Sequence, residues 1–137
     1  GMAQTQGTEF QVRLDLPDPM PLTDVELCTV LGNLLDNAVE ACSRQTKGKR
    51  RILVVGEIRG NMYFLKIENT YDGLILPEEK TFRSRKGTSA DHGIGLSSVR
   101  RILENHGGDL DLVPGEETFL VGITIECPFI SKSQCII

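Results

Sequence analysis

The chain lacks any run approaching the roughly 18 apolar residues that a membrane span requires, and no secretory signal opens it. It also lacks an excess of positive charge. Fifteen Lys and Arg stand against 19 Asp and Glu, for a net charge of −4. That balance speaks against nucleic acid or an anionic membrane as the main partner. The four cysteines, Cys28, Cys42, Cys127 and Cys135, show no paired CxxC spacing. They read as reduced, buried thiols of a cytosolic protein, with metal binding the alternative. Only two residues follow Cys135, so SQCII is not a prenylation box. Histidine is limited to His92 and His106.

What is present fits one domain: 137 residues, 39% of them hydrophobic, enough for a single core. Gly1-Met2 resembles the scar of a cleaved expression tag, so the expected division is a disordered start (1–8), a domain (9–130) and a tail (131–137). FQVRLDLP alternates Phe10, Val12, Leu14 and Leu16 with polar residues, which predicts a half-buried strand closed by Pro17. Thr23 and Glu26 have the spacing of a capping box, with Leu22 and Leu27 placed as a hydrophobic staple, so a helix starts there. RILVVGEI (51–58) and NMYFLKIE (61–68) predict a hairpin turning at Arg59-Gly60. The irregular stretch 69–95 is longer than an ordinary connection. A second amphipathic helix follows on Leu96, Val99, Ile102 and Leu103, ended by Gly107-Gly108. DLDLV and TFLVGITIEC then form a last hairpin around PGEE. The order predicts an α+β two-layer sandwich, a mixed, mostly antiparallel sheet with helices on one face.

Two stretches carry chemistry. In TDVELCTVLGNLLDNAVEAC (23–42), Leu27, Leu31, Leu34, Leu35, Ala38 and Cys42 mark the buried face of a helix. Asn33, Asp36, Asn37 and Glu40 recur on another stripe of it, either a solvated face or donors to a polar ligand or cation. HGIGLSSVRR sets Gly93 and Gly95 before the second helix. Glycines and an open helix N-terminus suit an anion, and Arg83, Arg85 and Lys86 lie just upstream. The bland alternative is a tight turn. No GxxxxGK[ST] is present, and the GxG follows a loop without a third glycine at dinucleotide-fold spacing.

Together, GNLLDNAVEA, KIENTYDG and HGIGLSSV, in that order, resemble the asparagine box and the two glycine boxes of the GHKL superfamily. That superfamily comprises the ATP-binding domains of sensor histidine kinases, DNA gyrase, Hsp90 and MutL. The resemblance runs from about residue 10 to Pro128, where TFLVGITIECP resembles the closing strand. SRKGTSADHGIGL is most similar to the quorum-sensing kinases that include the staphylococcal accessory-gene-regulator sensor.

The resemblance implies ATP and Mg²⁺ as cofactors. It implies that Asn37 ligates the metal, which suits an ion taking few protein ligands and several phosphate or water oxygens. Asn33 would support the same site. Lys86, Gly93, Ile94, Gly95 and Leu96 would contact the phosphates at the end of a lid (71–92) anchored by Phe82. Asp36 occupies the box's variable position, and Glu40 is either supporting or solvated.

Two departures stand out. Asn69 sits where the family's adenine-reading Asp belongs, and offers a neutral acceptor in its place. Asp72 is a rival for that role or a turn former. Hydrolysing members carry a Glu at the place of Asn33, and an amide cannot take a proton from water. The resemblance therefore implies a kinase that holds ATP for γ-phosphoryl transfer to a histidine on a separate dimerisation domain, and then to a response regulator. His92 abuts the glycine loop and His106 ends a helix, so neither is that acceptor. The implied setting is the cytoplasmic part of a membrane-bound sensor, touching neither membrane nor nucleic acid itself. The alternatives are an anti-sigma-factor-type serine kinase and a non-catalytic interaction module of the same fold.

Overall fold

The computed structural model describes residues 7–77, 79–80 and 94–127. Its elements are β1 (Thr8–Leu14), α1 (Asp24–Arg44), β2 (Arg50–Arg59), β3 (Met62–Thr70), α2 (Ile94–Asn105), β4 (Asp109–Pro114) and β5 (Thr118–Glu126). One five-stranded sheet has the order β1-β2-β3-β5-β4. β1 runs parallel to β2 and every other neighbouring pair is antiparallel. The mixed sheet expected from the element order is thus observed.

α1 begins as the sequence dictates. Thr23 N–H donates to Glu26 Oε1 at 2.9 Å and Glu26 N–H donates to Thr23 Oγ1 at 3.1 Å, a reciprocal capping box. Its buried residues are Val30, Leu34, Ala38, Ala41 and Cys42. Leu27, Leu31 and Leu35 flank them half-buried, packed on the edge of the core. Beneath α1 lie the alternate residues of β3 (Tyr63, Leu65, Ile67) and β5 (Phe119, Val121, Ile123, Ile125). α2 adds Leu96, Val99 and Leu103 to the same core and packs against both α1 and β4. Cys42 ties α1 to the sheet through Sγ contacts with Thr70 O at 3.5 Å and Arg51 O at 3.7 Å.

Three sequence expectations need correction. The β2–β3 turn is one residue later than Arg59-Gly60, because Arg59 already pairs with Met62 and Gly60 takes the left-handed φ of +60°. Cys28, read with the other cysteines as a buried thiol, is exposed. The strand expected over 10–16 runs from Thr8 to Leu14, and its apolar row is not half-buried. Phe10, Val12 and Leu14 are 41%, 62% and 36% exposed. Their register with Ile52, Val54 and Gly56 puts them on the helix side of the sheet. α1, however, packs across β2 and β3, and the edge strand keeps its apolar row open.

Tyr63 marks the tightest packing under the sheet end. It is 2% exposed and its Oη has no hydrogen-bond partner among the described residues. Burial, with help from Asp15 and Cys127, pushes its phenol up to about 12. A Cβ on Gly56 would run into that Oη, so a glycine suits the place where the ring ends. Removing a buried, unpaired hydroxyl relieves its desolvation, so Tyr63→Phe should raise stability by about 1 kcal/mol in urea unfolding. A phenol pKa raised on folding contributes stability that is present below pH 10 and lost as pH climbs toward 12. The wild-type chain should lose stability through that window, and Tyr63→Phe should flatten the loss. An unchanged alkaline profile in the variant would show that Tyr63 is not the titrating group.

Candidate nucleotide-binding site

The asparagine-box helix, the end of β3 and the start of α2 meet at one cavity. It is lined by Leu34, Asn37, Ala38, Ala41 and Arg44 of α1, by Asn69, Tyr71 and Leu74, by Leu96 of α2, and by Leu112, Phe119 and Val121 of the sheet. The floor is apolar and the polar groups stand at its ends, the usual division of a small-molecule site. In this conformation the cavity is only about 20 Å³, with Leu74 and Glu79 also in its lining. A broader depression of about 570 Å³ lies over Leu53, Val55 and Phe64 on the other face of the sheet. Of the three motifs only Lys66 of KIENTYDG touches it, and none of the candidate site residues does, so breadth alone does not mark the site.

Asn69 is the buried polar group of the cavity, 5% exposed and directly across the β3–β5 ladder from Phe119. Its Nδ2 donates to Thr70 O at 3.0 Å. That bond fixes the amide orientation and leaves Oδ1 as the atom able to accept from a ligand. Asn37 is exposed on the same wall, with no core to fill. Asn33, one turn earlier, is placed differently. Its Nδ2 donates back to Thr29 O at 2.8 Å. Its Oδ1 would lie 3.0 Å from a Cβ on Gly95, so the amide packs against the first turn of α2. A side chain at Gly95 would crowd the Asn33 amide. Ile94 is the first residue of α2. Leu96 is buried and lines the cavity. Lys86 and Gly93 lie outside the described residues, as do Phe82, Arg83, Arg85 and His92.

Asp72 forms a turn: its Oδ1 accepts from Leu74 N–H at 2.9 Å, and it does not line this cavity. Glu40 is 65% exposed and reaches Arg44 Nη1 at 3.3 Å, a surface pair of small energetic weight. His106 bonds Glu26 through Nε2 at 3.0 and 3.2 Å, linking the end of α2 to the start of α1. The Glu26 carboxyl is held below its ordinary value, first by the Thr23 backbone N–H and then by His106.

Sequence reasoning missed Tyr71 and Phe119. Tyr71 is 6% exposed, its Oη donates to Gly115 O, and its ring meets Phe119 edge-on at 5.5 Å and 88°. Burial, with the Glu79 and Asp72 carboxylates, raises its phenol pKa. These two rings set the depth of the cavity. The available signal was a lone aromatic after Asn69, which has meaning only once β5 is known to lie beside β3.

The sequence pattern of the GHKL domain family matches residues 22–126, most of the chain and all three cavity walls. The chain belongs to the GHKL domain family. Among similar proteins, the sensor protein kinase CarS of Pseudomonas aeruginosa is 33% identical over 131 residues, covering 89% of this chain and 27% of its own length. Sensor histidine kinase CitA of Klebsiella pneumoniae is 32% identical over 99 residues, covering 67% of this chain and 17% of CitA. The chain thus spans about a quarter or less of these relatives. In fold it is similar to the catalytic domain of histidine kinase ThkA, with a TM-score of 0.68 at 20% identity over 92% of this chain and 82% of that one. This is a GHKL domain similar to the catalytic domains of sensor histidine kinases.

The GHKL domain keeps an amide at 69 for a local reason. A carboxylate there would set a second acceptor against Thr70 O in a buried position. Asn69→Asp should therefore cost about 1–3 kcal/mol, the penalty of a buried acceptor left without its donor. Thermal melts above and below the carboxylate range check it, since the loss should shrink when the new carboxyl is protonated. A variant as stable as the parent at neutral pH would mean that the Thr70 bond contributes nothing.

Proposed function

We propose that this GHKL domain holds ATP·Mg²⁺ for γ-phosphoryl transfer to a histidine on a separate dimerisation domain of a two-component sensor kinase. One observation carries the reading: Asn37, Asn69 and Leu96, brought from three distant motifs, line a single cavity. Asn69 Oδ1 is the acceptor for the adenine amino group, over the apolar floor of Leu34, Ala38 and Phe119. The donor set fits Mg²⁺ in a particular way. Among the described residues no group of three His, Cys, Asp or Glu could cage a metal. An exposed amide oxygen on Asn37 suits an ion that keeps waters and phosphates as its other ligands. When bound, the metal supplies charge neutralisation across the phosphates.

The remaining work belongs to the chain itself. Asn33 braces the Gly95 turn, which keeps the N-terminus of α2 aimed for phosphate. It presents an amide where hydrolysis would need a base, so the domain retains ATP for a histidine and does not spend it on water. Lys86 and Gly93 are proposed to complete the phosphate contacts.

In this reading the partners are the parent's histidine-bearing domain and a response regulator, and the parent is a membrane-bound sensor. No helix among the described residues is long and apolar enough to cross a membrane. The closer kinship to quorum-sensing sensors of the accessory-gene-regulator type is supported by SRKGTSADHGIGL. Calorimetric titration with a non-hydrolysable ATP analogue, with and without Mg²⁺, tests the core of the proposal. Metal-dependent binding is expected, and no binding at millimolar nucleotide overturns it. Phosphoryl transfer to a separately supplied histidine-bearing domain tests the rest.

A further inference from the structure

We propose that the outer edge of β1 pairs with the same edge of a second copy of this chain, joining two sheets about a two-fold axis at Gln11. The edge is open in the sense that matters. Asp15 N–H donates inward to Gly56 O on β2. By strand alternation the N–H and C=O groups of Thr8, Phe10, Val12 and Leu14 then point away from β2. No strand among the described residues takes them up, since β1 ends the sheet order. The same residues carry the exposed apolar row, with Phe10 at 41% and Val12 at 62%. A strand edge with free backbone groups and exposed apolar side chains is a template for another strand.

The sequence of β1 says which strand. Antiparallel self-pairing about Gln11 matches each residue with the one whose number completes 22. Glu9 then stands opposite Arg13 of the second copy, and Arg13 opposite its Glu9. Phe10 stands opposite Val12, and Val12 opposite Phe10. Opposed residues of an antiparallel pair share a face, so the charges meet on the open face of the sheet and the apolar pair on the helix face. The hydrogen-bonding requirement agrees: Phe10 and Val12 are the residues whose backbone groups point outward. The charges select this register among those that the outward backbone groups and the exposed apolar row allow. A two-fold interface must be self-complementary, and this edge is. The inference does not depend on the nucleotide reading, because no residue of β1 lines that cavity.

Sedimentation of the full chain over a wide concentration range tests the proposal. The mass should rise from 15.1 kDa toward twice that value. Val12→Lys sits at an exposed position and should stay folded by circular dichroism while remaining monomeric. Glu9→Arg turns two attractive cross-strand pairs repulsive and should raise the dissociation constant by about tenfold. The double variant Glu9→Arg/Arg13→Glu restores opposite charges across the axis and should recover the parent constant. A monomer at every concentration overturns the proposal. So does a dimer indifferent to Val12→Lys, or a charge reversal that the second change fails to rescue.

Discussion

Asn37→Ala should leave the melting temperature unchanged and weaken binding of a Mg²⁺-nucleotide by about thirtyfold, some 2 kcal/mol. The two halves of that result come from different features. Asn37 is exposed on α1, so its truncation empties no part of the core, and an exposed helix position changes stability by no more than about 0.5 kcal/mol. Its neighbours Leu34, Ala38 and Ala41 carry the packing of that turn and are untouched. The affinity half rests on the proposal that the Asn37 amide oxygen is a metal ligand beside phosphate and water oxygens. The loss should accordingly be metal-dependent: with Mg²⁺ removed, parent and variant should bind the nucleotide equally weakly. Asn37→Asp keeps an oxygen at the position and should retain most of the metal-dependent affinity. Calorimetric titration in the presence and absence of Mg²⁺ separates these cases. A parallel fall in melting temperature and affinity would reassign Asn37 to the structure.

Much of this site was legible in the sequence, and the reason is local. The capping box, the period of α1 and the glycines before α2 are each encoded within a few residues, and folding keeps them where local rules put them. Asn69 was legible by its place after a strand. What could not be read depends on which elements become neighbours. Asn33 shares the stripe of Asn37, yet one packs on Gly95 while the other stays exposed, because α2 crosses α1 at that turn. Asp72 read as a rival adenine reader or a turn former, and its carboxylate, bonded to Leu74 N–H, takes the turn. The alternation in β1 promised a buried row, but alternation specifies only that residues share a face. Whether that face is covered depends on how far α1 reaches. The aromatic floor of Tyr71 and Phe119 joins residues 48 positions apart and exists only through the β3–β5 register.

Gly108→Ala should show the opposite signature, a large loss of stability with nucleotide affinity retained per folded molecule. α2 ends in a Schellman arrangement: Gly108 N–H donates to Leu103 O at 2.7 Å and Gly107 N–H to Glu104 O at 3.2 Å. Gly107 takes the left-handed φ of +69° that this cap requires. Gly108 does not, and its constraint is space. A Cβ there would lie 2.7 Å from Thr124 O and 3.2 Å from both Leu103 O and Ile125 Cγ1. Neither oxygen can give way cheaply. Leu103 O already holds the cap, and Thr124 is fixed by pairing with Phe64 on one side and Asp109 on the other. The methyl must push α2 off the sheet end or break the cap, at a cost of about 2–4 kcal/mol. For a domain of this size that lowers the melting temperature by roughly 8–15 °C. Gly107→Ala meets no atom within 4 Å and has only its positive φ to oppose it, a cost of about 1 kcal/mol. Differential scanning calorimetry of the two variants should therefore rank Gly108→Ala well below Gly107→Ala. The reverse order would mean that the cap, and not contact with β5, fixes the end of α2. The cavity lies at the other end of α2, around Leu96, so nucleotide titration of the folded fraction should give the parent affinity.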